Sequence, residues 1–150
     1  MYGSSSRRSG KESSSLSKQR SKRRPLIARF DEIAGVPCPC GTSRRAFLVR
    51  GNKTASVHQV EISKDAEPHY HKRLTEIYIV LEGSGTLELD QERVPLRPGT
   101  AVLIPPGVVH RAVGKLKILN VSVPPFNPKD EHLVKASRPP RLAKPGRSAP

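Results

Sequence analysis

Aromatic residues and cysteines are scarce in this chain of 150 residues, which has no tryptophan, three phenylalanines and three tyrosines. A folded core must therefore be built mainly from valine, isoleucine and leucine. The two cysteines, Cys38 and Cys40, are one residue apart, and no second pair exists to complete a structural zinc site. A disulfide between such near neighbours would be strained, so we expect reduced thiols in a rigid turn over residues 37–45.

Long apolar runs are also missing from the sequence. No stretch approaches the roughly 18 apolar residues of a transmembrane helix, and the N-terminus has no apolar segment of the kind that directs secretion. Its arginine- and serine-rich start resembles an organellar transit peptide in composition, but it cannot form an amphipathic face because apolar residues are nearly absent. We therefore expect a cytoplasmic protein that does not contact the membrane.

Acidic residues are few: 13 Asp and Glu stand against 27 Lys and Arg, for a net charge of +14. The excess lies at the ends, because residues 1–24 hold eight basic residues and one acid, and residues 135–150 hold five basic residues and no acid. Both ends are too polar or too proline-rich to pack, so we predict disordered basic tails around one domain at 25–134. The tails could contact nucleic acid, but we favour the simpler interpretation of solvated segments.

Histidines recur at regular spacings in the middle of the domain. His69 and His71 are two residues apart, so in a strand they project from the same face about 7 Å apart along the chain, within reach of one ion. A polar turn then leads into a strand that begins at Glu76, which we expect beside His71 across a hairpin. After a tight turn over residues 105–107, His110 returns on a separate strand.

Short apolar or alternating segments occur throughout the domain, between turns rich in glycine and proline. We predict strands over residues 46–49, 55–62, 69–71, 76–81, 86–90, 101–104 and 116–123. Gly83 and Gly85 are expected to end the strand that starts at Glu76, and Pro98-Gly99 to form a turn. No long helix is predicted, so the fold class is all-β.

These positions carry a resemblance to a known family. The chain resembles the cupins, whose two motifs read G-x5-H-x-H-x3,4-E-x6-G and G-x5-P-x-G-x2-H-x3-N. The matching residues, in order, are His69, His71, Glu76, Gly83, Gly99, Pro105, Gly107 and His110. Ser63 replaces the opening glycine of the first motif and Gly114 replaces the closing asparagine of the second, which affects turn geometry and not the metal ligands.

The resemblance implies a single jelly-roll β-barrel that holds one divalent metal ion. Its ligands would be His69, His71, Glu76 and His110, and such mixed nitrogen and oxygen ligation suits Fe(II), Mn(II), Zn(II), Ni(II) or Cu(II). Four protein ligands leave coordination positions free if the ion is octahedral, so the site is suited to chemistry and is not closed like a structural zinc site. The resemblance also implies a homodimer.

Strand phase adds candidates for the pocket. Tyr78 shares the face of Glu76, which makes it the candidate catalytic residue, as an orienting group or proton donor; the alternative is an aromatic that fills a barrel layer. Asn120 and Ser122 share a face that points either to solvent or into the pocket. For His58 the alternatives are a satisfied strand histidine, which we favour, and a role in the pocket or in support of the metal ligands.

Function is less determined than fold, because cupins include oxygenases, isomerases, decarboxylases and non-catalytic binding proteins. The first hypothesis is a metal-dependent enzyme that acts on a small organic molecule, with an oxygenase-type reaction at Fe(II). A sugar-phosphate isomerase, with Arg44, Arg45 or Lys72 holding the phosphate, is one alternative. A non-catalytic sensor or binding module for a small molecule is another. For Arg44 and Arg45 themselves, we favour a solvated turn over an anion clamp.

Overall fold

The computed structural model describes residues 24–135 and the backbone of a two-residue strand, Arg141–Leu142. The predicted domain at 25–134 is therefore described throughout. The predicted disordered tails lie outside the described residues, apart from Arg24, Lys135 and the strand Arg141–Leu142.

The described residues form strands joined by turns and by two three-residue 3₁₀ helices, Phe30–Glu32 and Pro128–Asp130. In chain order the strands are β1 (Val36–Cys38), β2 (Gly41–Ala46), β3 (Ser56–Ile62), β4 (His69–His71), β5 (Thr75–Leu89), β6 (Glu92–Leu96), β7 (Ala101–Ile104), β8 (His110–Val123), β9 (Glu131–Leu133) and β10 (Arg141–Leu142). The predicted all-β fold class is confirmed. In this part of the chain, no helix has the length and apolar character needed to cross a membrane.

The strands form one curled sheet. Its hydrogen-bonded order is β1-β2-β3-β8-β5-β6-β10, while β4 pairs with β8 and β9, and β7 pairs with β5. The long strands β5 and β8 pair antiparallel over nearly their whole lengths. The side chains of a strand alternate between its two faces, so the curl encloses the inner set. This architecture is the predicted jelly roll.

The strand β5 has 15 residues, whereas the sequence predicted that Gly83 and Gly85 would end it. A bulge between Val80 and Glu82 shifts the register, and pairing with β8 continues beyond it. Gly83 has a φ of 86°, and a Cβ at this residue would lie 2.1 Å from the carbonyl oxygen of Lys115. Glycine therefore allows β8 to approach closely, which keeps the strand paired instead of ending it.

The N-terminal strands also differ from the prediction. A strand over residues 46–49 is not formed, because β2 ends at Ala46 and the left-handed backbone of Phe47, with φ 67°, cannot continue a strand. The segment 37–45, expected to be a turn, forms most of the β1–β2 hairpin. Both cysteines lie in this hairpin as free thiols, as expected, with their Sγ atoms 3.2 Å apart.

The hydrophobic core lies between the inner faces of the curled sheet. Its buried residues are Val60, Ile62, Tyr78, Val80, Leu87, Leu96, Ile104, Ala112, Leu116 and Ile118. Apart from one tyrosine and one alanine, all are valine, isoleucine or leucine, as the scarcity of aromatic residues requires. The metal-ligand candidates lie at one end of this aliphatic core, on the same inner face.

Candidate metal centre

Three histidines and one glutamate meet on the inner face of the sheet. His69 and His71 come from β4, Glu76 from the start of β5, and His110 from the start of β8. Each contributes one imidazole nitrogen or carboxylate oxygen, and these atoms all lie within 4.8 Å of one another. His71, Glu76 and His110 are buried, and His69 is partly buried. The four residues that the cupin motifs indicated as ligands are thus adjacent in the fold.

The connection between β4 and β5 differs from the predicted hairpin. β4 pairs with β9 and, through His69 opposite His110, with β8. Residues 72–74 link β4 to β5, and the Asp130 carboxylate accepts a hydrogen bond from each of their three backbone amides at 3.1 Å. Asp130 therefore fixes the segment that separates the two histidines of β4 from the carboxylate of Glu76.

Each histidine of the cluster directs its Nδ1 atom at a backbone carbonyl oxygen. The partners are Glu67 for His69 at 2.9 Å, Asp130 for His71 at 2.9 Å and Val108 for His110 at 3.0 Å. A carbonyl oxygen only accepts hydrogen bonds, so Nδ1 carries the proton and Nε2 of the neutral ring keeps its lone pair. Backbone contacts thus prepare all three rings to coordinate through Nε2.

Glu76 is 2% exposed and surrounded by nitrogen atoms. Its Oε2 lies 2.8 Å from His110 Nε2 and 3.5 Å from His71 Nε2, and its Oε1 accepts a hydrogen bond from Asn120 at 2.6 Å. Burial opposes ionisation, but the contacts with His110 and His71 outweigh it and hold the pKa of Glu76 well below its ordinary value. Burial lowers the pKa of His71, but Glu76 outweighs it and raises that pKa, whereas burial and His110 lower the pKa of His69.

The contacts within the cluster call for a positive charge. Because Nδ1 of His110 donates to Val108, a neutral His110 presents a lone pair to the Glu76 carboxylate at 2.8 Å, and that contact is repulsive. A proton or a metal cation shared by the two groups removes the repulsion. His71 Nε2 is also buried without a hydrogen-bond partner. These donors fit a divalent cation, since neutral imidazole and carboxylate are its usual ligands.

Tyr78 lies beside the cluster on β5. Its ring centroid is 6.0 Å from that of His110, and its side chain lines the same cavity. Burial, followed by the charge of Glu76, raises the pKa of Tyr78 well above its ordinary value. The hydroxyl therefore stays protonated at neutral pH and can donate a proton or a hydrogen bond, but it cannot act as a base.

The polar pair on β8 faces inward, which resolves the two orientations that the sequence left open. Asn120 and Ser122 are 8% and 0% exposed, and Asn120 donates to Glu76. Leu119 and Val121 lie on the opposite, less buried face of the strand. Asn120 is therefore part of the pocket.

His58 is both satisfied and part of the pocket wall. Its Nε2 lies 3.0 Å from Ser56 Oγ, and its ring packs edge-on against Phe126 with centroids 5.4 Å apart. Burial, with the charge of Arg45, lowers the pKa of His58 to about 4, so the ring is neutral at neutral pH. The predicted satisfied histidine is present, but the same residue also lines the cavity.

Arg44 and Arg45 project from opposite faces of β2. Arg44 pairs with Glu61 at 2.9 Å on the outside, whereas Arg45 lines the cavity. The expected solvated turn is therefore a strand, and its alternation separates the two arginines. Lys72, the third basic residue considered for phosphate binding, is exposed.

The inward-facing side chains surround a cavity that is open to solvent. Cys38, Cys40, Phe126 and Glu131 contribute to its wall together with the residues described above. The wall combines apolar and polar side chains, as ligand-binding pockets usually do.

Sequence reasoning missed Asp130 and Glu131. Glu131 lies on β9 opposite His71, and its Oε1 is 3.9 Å from His69 Nε2. The nearest local signal is Asn127 followed by proline, which caps the 3₁₀ helix that contains Asp130. That signal predicts a helix start, but it gives no sign that the segment packs against β4.

The fold and the cluster together define a small jelly-roll barrel with three histidines and one glutamate on its inner wall. The family model of the cupin domain matches residues 56–121, which include all four of these residues. The chain belongs to the cupin family.

The chain is also similar to proteins of known structure and to a curated relative. A protein of known crystal structure from Planctomyces limnophilus is 42% identical, with 73% of this chain and 97% of that chain covered and a TM-score of 0.70. The polyketide cyclase RemF from Streptomyces resistomycificus is 25% identical, with 78% and 90% covered and a TM-score of 0.62. An uncharacterized protein of Methanocaldococcus jannaschii is 37% identical over 70 residues, or 44% of this chain. The match spans only 56% of that relative's length.

Proposed function

We propose that this protein is a metal-dependent enzyme that acts on a small organic molecule in its cavity. His69, His71, Glu76 and His110 would hold one divalent ion, Fe, Mn, Zn, Ni or Cu. One observation carries the proposal. Three imidazoles form Nδ1 hydrogen bonds with backbone carbonyl oxygens, and this leaves their Nε2 atoms free for coordination beside a buried carboxylate. When bound, such an ion supplies Lewis-acid or redox chemistry.

Two residues beside the cluster have roles in this proposal. Asn120 donates to Oε1 of Glu76 at 2.6 Å and so holds the carboxylate in one orientation. Tyr78 is the proposed catalytic residue. Its raised pKa keeps the phenol protonated, so it would donate a hydrogen bond to a substrate oxygen close to His110, with proton transfer where that oxygen becomes strongly basic.

An oxygenase-type reaction at Fe(II) is the first reaction class to test, since mixed imidazole and carboxylate ligation suits that ion. The similarity to RemF, a polyketide cyclase, supports enzymatic activity in this fold without indicating the same reaction. A sugar-phosphate isomerase is the enzymatic alternative. Arg44 is paired with Glu61 on the outside and Lys72 is exposed, so Arg45, which lines the cavity, would have to hold the phosphate.

The alternative is a non-catalytic binding or sensor module that uses the ion as an anchor. It is favoured by one observation: the groups next to the cluster, Tyr78 and His58, are a protonated phenol and a neutral imidazole with a low pKa, so neither is a strong base. Consumption of a bound compound would exclude this alternative, whereas saturable binding without conversion would support it.

Metal content is the first test. Protein purified without affinity metal or chelator should contain near-stoichiometric metal by inductively coupled plasma mass spectrometry, and the His69→Ala/His71→Ala variant should contain almost none. His132→Ala is the matched control, because His132 lies on β9, where it stacks on Tyr70 of β4, and is outside the cluster. Wild-type protein that folds but never binds a divalent ion would overturn the proposal.

The metal found directs the activity test. Iron leads to oxygen-uptake assays with candidate small molecules, and manganese or zinc leads to isomerase and hydrolytic substrates. In either case Tyr78→Phe should lower turnover without lowering metal content, because the hydroxyl is proposed to act on substrate and not on the ion. Equal turnover in the two proteins would remove Tyr78 from the proposed role.

We also propose a homodimer in the cytoplasm, with solvated tails and no favoured contact to nucleic acid. In the described part of the chain β7 pairs only with β5, and its Leu103 is 61% exposed, so this edge is suited to a second subunit. Sedimentation of wild type and Leu103→Lys tests the dimer. A wild-type protein that sediments with the mass of a monomer would reject the dimer.

A further inference from the structure

A row of polar side chains crosses the inner face of the sheet. Arg45 on β2 lies opposite His58 on β3, His58 opposite Asn120 on β8, and Asn120 opposite Tyr78 on β5. All four line the cavity. The row therefore begins at a guanidinium group and ends beside the metal centre, where Asn120 contacts Glu76.

The hydrogen bonding of Arg45 is incomplete inside the protein. Its Nε is buried without a hydrogen-bond partner, and none of the ion pairs among residues 24–135 includes this arginine. The adjacent Arg44 shows the usual arrangement, with its guanidinium 2.9 Å from the Glu61 carboxylate. An arginine that lines a cavity without a carboxylate partner in the chain can take an anionic group of a ligand as its counter-charge.

The neighbours of Arg45 orient its guanidinium group. The guanidinium carbon lies over the ring of Phe126, 5.1 Å from the ring centroid, so a cation–π contact holds the group beside this ring. Ser43, two residues earlier on the same face of β2, also lines the cavity and has a buried hydroxyl without a partner. The charge of Arg45 contributes to the low pKa of His58, so this neighbour does not add a second positive charge at neutral pH.

We infer that the ligand of this cavity carries a carboxylate group that binds the Arg45 guanidinium, while the rest of the molecule extends along the polar row to the metal centre. This inference rests on the proposed function and names its substrate class. The planar guanidinium fork matches a planar carboxylate through two parallel hydrogen bonds. Ser43 Oγ supplies a further donor on the same side of the cavity. The neutral His58 and Asn120 then face the uncharged part of the ligand.

Calorimetric titration with benzoate, the neutral analogue benzamide and inorganic phosphate tests the inference on protein in its purified, metal-loaded form. Benzoate should bind and benzamide should bind much more weakly. Arg45→Gln should weaken benzoate binding about 10-fold or more, because charged hydrogen bonds are lost. Arg45→Lys, which keeps the charge and loses the fork, should retain part of the affinity. Arg44→Gln, the matched control on the outer face, should behave as wild type.

Three results would overturn the inference. They are equal benzoate affinity in Arg45→Gln and wild type, no benzoate binding to the wild type at millimolar concentration, and tighter binding of phosphate than of benzoate. Melting temperatures verify that each variant is folded, and Arg45→Lys carries the test if Arg45→Gln is not. Metal content measured on the same samples separates the two proposals. Loss of benzoate affinity with metal retained supports the carboxylate site, whereas wild-type protein without metal defeats the proposed function and leaves benzoate binding to decide the role of Arg45.

Discussion

Glu76 and Glu88 are both buried carboxylates on β5, and both have pKa values below the ordinary value. They differ in what compensates their charge. Burial of Glu88 is outweighed by hydrogen bonds from Arg111 and Arg93, whose guanidinium groups are permanently charged. Glu76 instead faces imidazoles and one amide, none of which has a permanent charge. The charge of Glu88 is neutralised within the chain, whereas the charge of Glu76 needs a proton or a cation.

The bulge on β5 explains why one strand contains both arrangements. Before the bulge, Glu76 points to the inner face with the core residue Val80; after it, Leu87 takes the inner face and Glu88 turns to the outer one. Glu82, at the bulge, is exposed and pairs with Lys117 at 3.0 Å. A carboxylate on the outer face can be covered by long arginines from β6 and β8, and a carboxylate on the inner face reaches only the cavity.

The largest expected effect is the loss of metal from Glu76→Gln. Removing the only carboxylate of the cluster should lower metal affinity by more than about 100-fold, which exceeds the effect of residues that merely orient a ligand. Metal content by mass spectrometry, with dialysis against a metal buffer, measures the change. Glu88→Gln should bind as much metal as wild type. Stoichiometric metal in Glu76→Gln would remove the contrast between the two carboxylates.

The stabilisation that depends on the metal centre around Glu76 and the stabilisation from Glu88 should be lost in different pH ranges. Protons compete with metal for the imidazole Nε2 atoms as pH falls below about 6.5, and at lower pH for His69, whose pKa is lowered. A metal-dependent stabilisation of about 3 kcal/mol, at metal 100 times Kd, should therefore be lost progressively below that pH. In metal-free protein the raised pKa of His71 adds stability below about pH 6.5, and this added stability is lost as pH rises through the folded pKa. The difference in stability between metal-loaded and metal-free protein therefore becomes still smaller in acid.

The contribution of Glu88 should disappear at lower pH. Because its folded pKa lies below the unfolded value of about 4.3, its stabilisation is present above that pH and is lost as pH falls through the folded pKa. Melting temperatures of metal-loaded, metal-free and Glu88→Gln protein, between about pH 8 and 4, resolve both windows. A metal-dependent gap that is unchanged at about pH 5 would contradict the expected competition for imidazole.

In metal-free protein, substitution of Glu88 should reduce stability more than substitution of Glu76, which is the reverse of their effects on metal binding. Glu88→Gln should lower the free energy of unfolding by about 1–3 kcal/mol, since three hydrogen bonds from two arginines to a charged group are weakened or lost. Glu76→Gln should change it less, because the new amide can donate to the lone pair of His110. Glu82→Gln, which removes an exposed pair, should stay within about 0.5 kcal/mol of wild type. Urea denaturation in the presence of chelator provides the values, and equal losses at all three positions would show that burial and partners do not distinguish them.

Asp130 is expected to have a smaller effect on metal binding than Glu76, because it acts on the cluster through the backbone. Asp130→Ala removes the acceptor for three amides of residues 72–74 and should weaken metal binding about 10-fold. Asp130→Asn, which keeps one acceptor oxygen, should lie between this variant and wild type. Asn127→Ala removes the cap of the same 3₁₀ helix without touching these amides, so it serves as the control. An equal loss in Asn127→Ala would indicate general loosening of the helix and not positioning by Asp130.

The two regions also differ in how well the sequence predicted them. The four ligand candidates follow from fixed spacings within two short segments, and the structure brings them together. The sequence did not predict Asp130, Glu131 or the inward orientation of Arg45, because each depends on pairing between distant strands. The same limit explains the two wrong strand ends. The glycines on β5 predict the end of a strand, although β8 approaches closely at those positions. Residues 46–49 predict a strand, although Phe47 turns the chain.

By itself, the sequence determined the all-β class, the aliphatic core, the cupin motifs and the near-neutral domain between basic ends, because periodicity, composition and short spacings are local properties. Only the tertiary structure decided which face of each strand is enclosed. It paired Glu76 with imidazoles and Glu88 with arginines, and it left Arg45 in the cavity while Arg44 met Glu61. The reason is physical: alternation assigns neighbouring residues to opposite faces, but the curl of the sheet and one bulge determine which face is the inside.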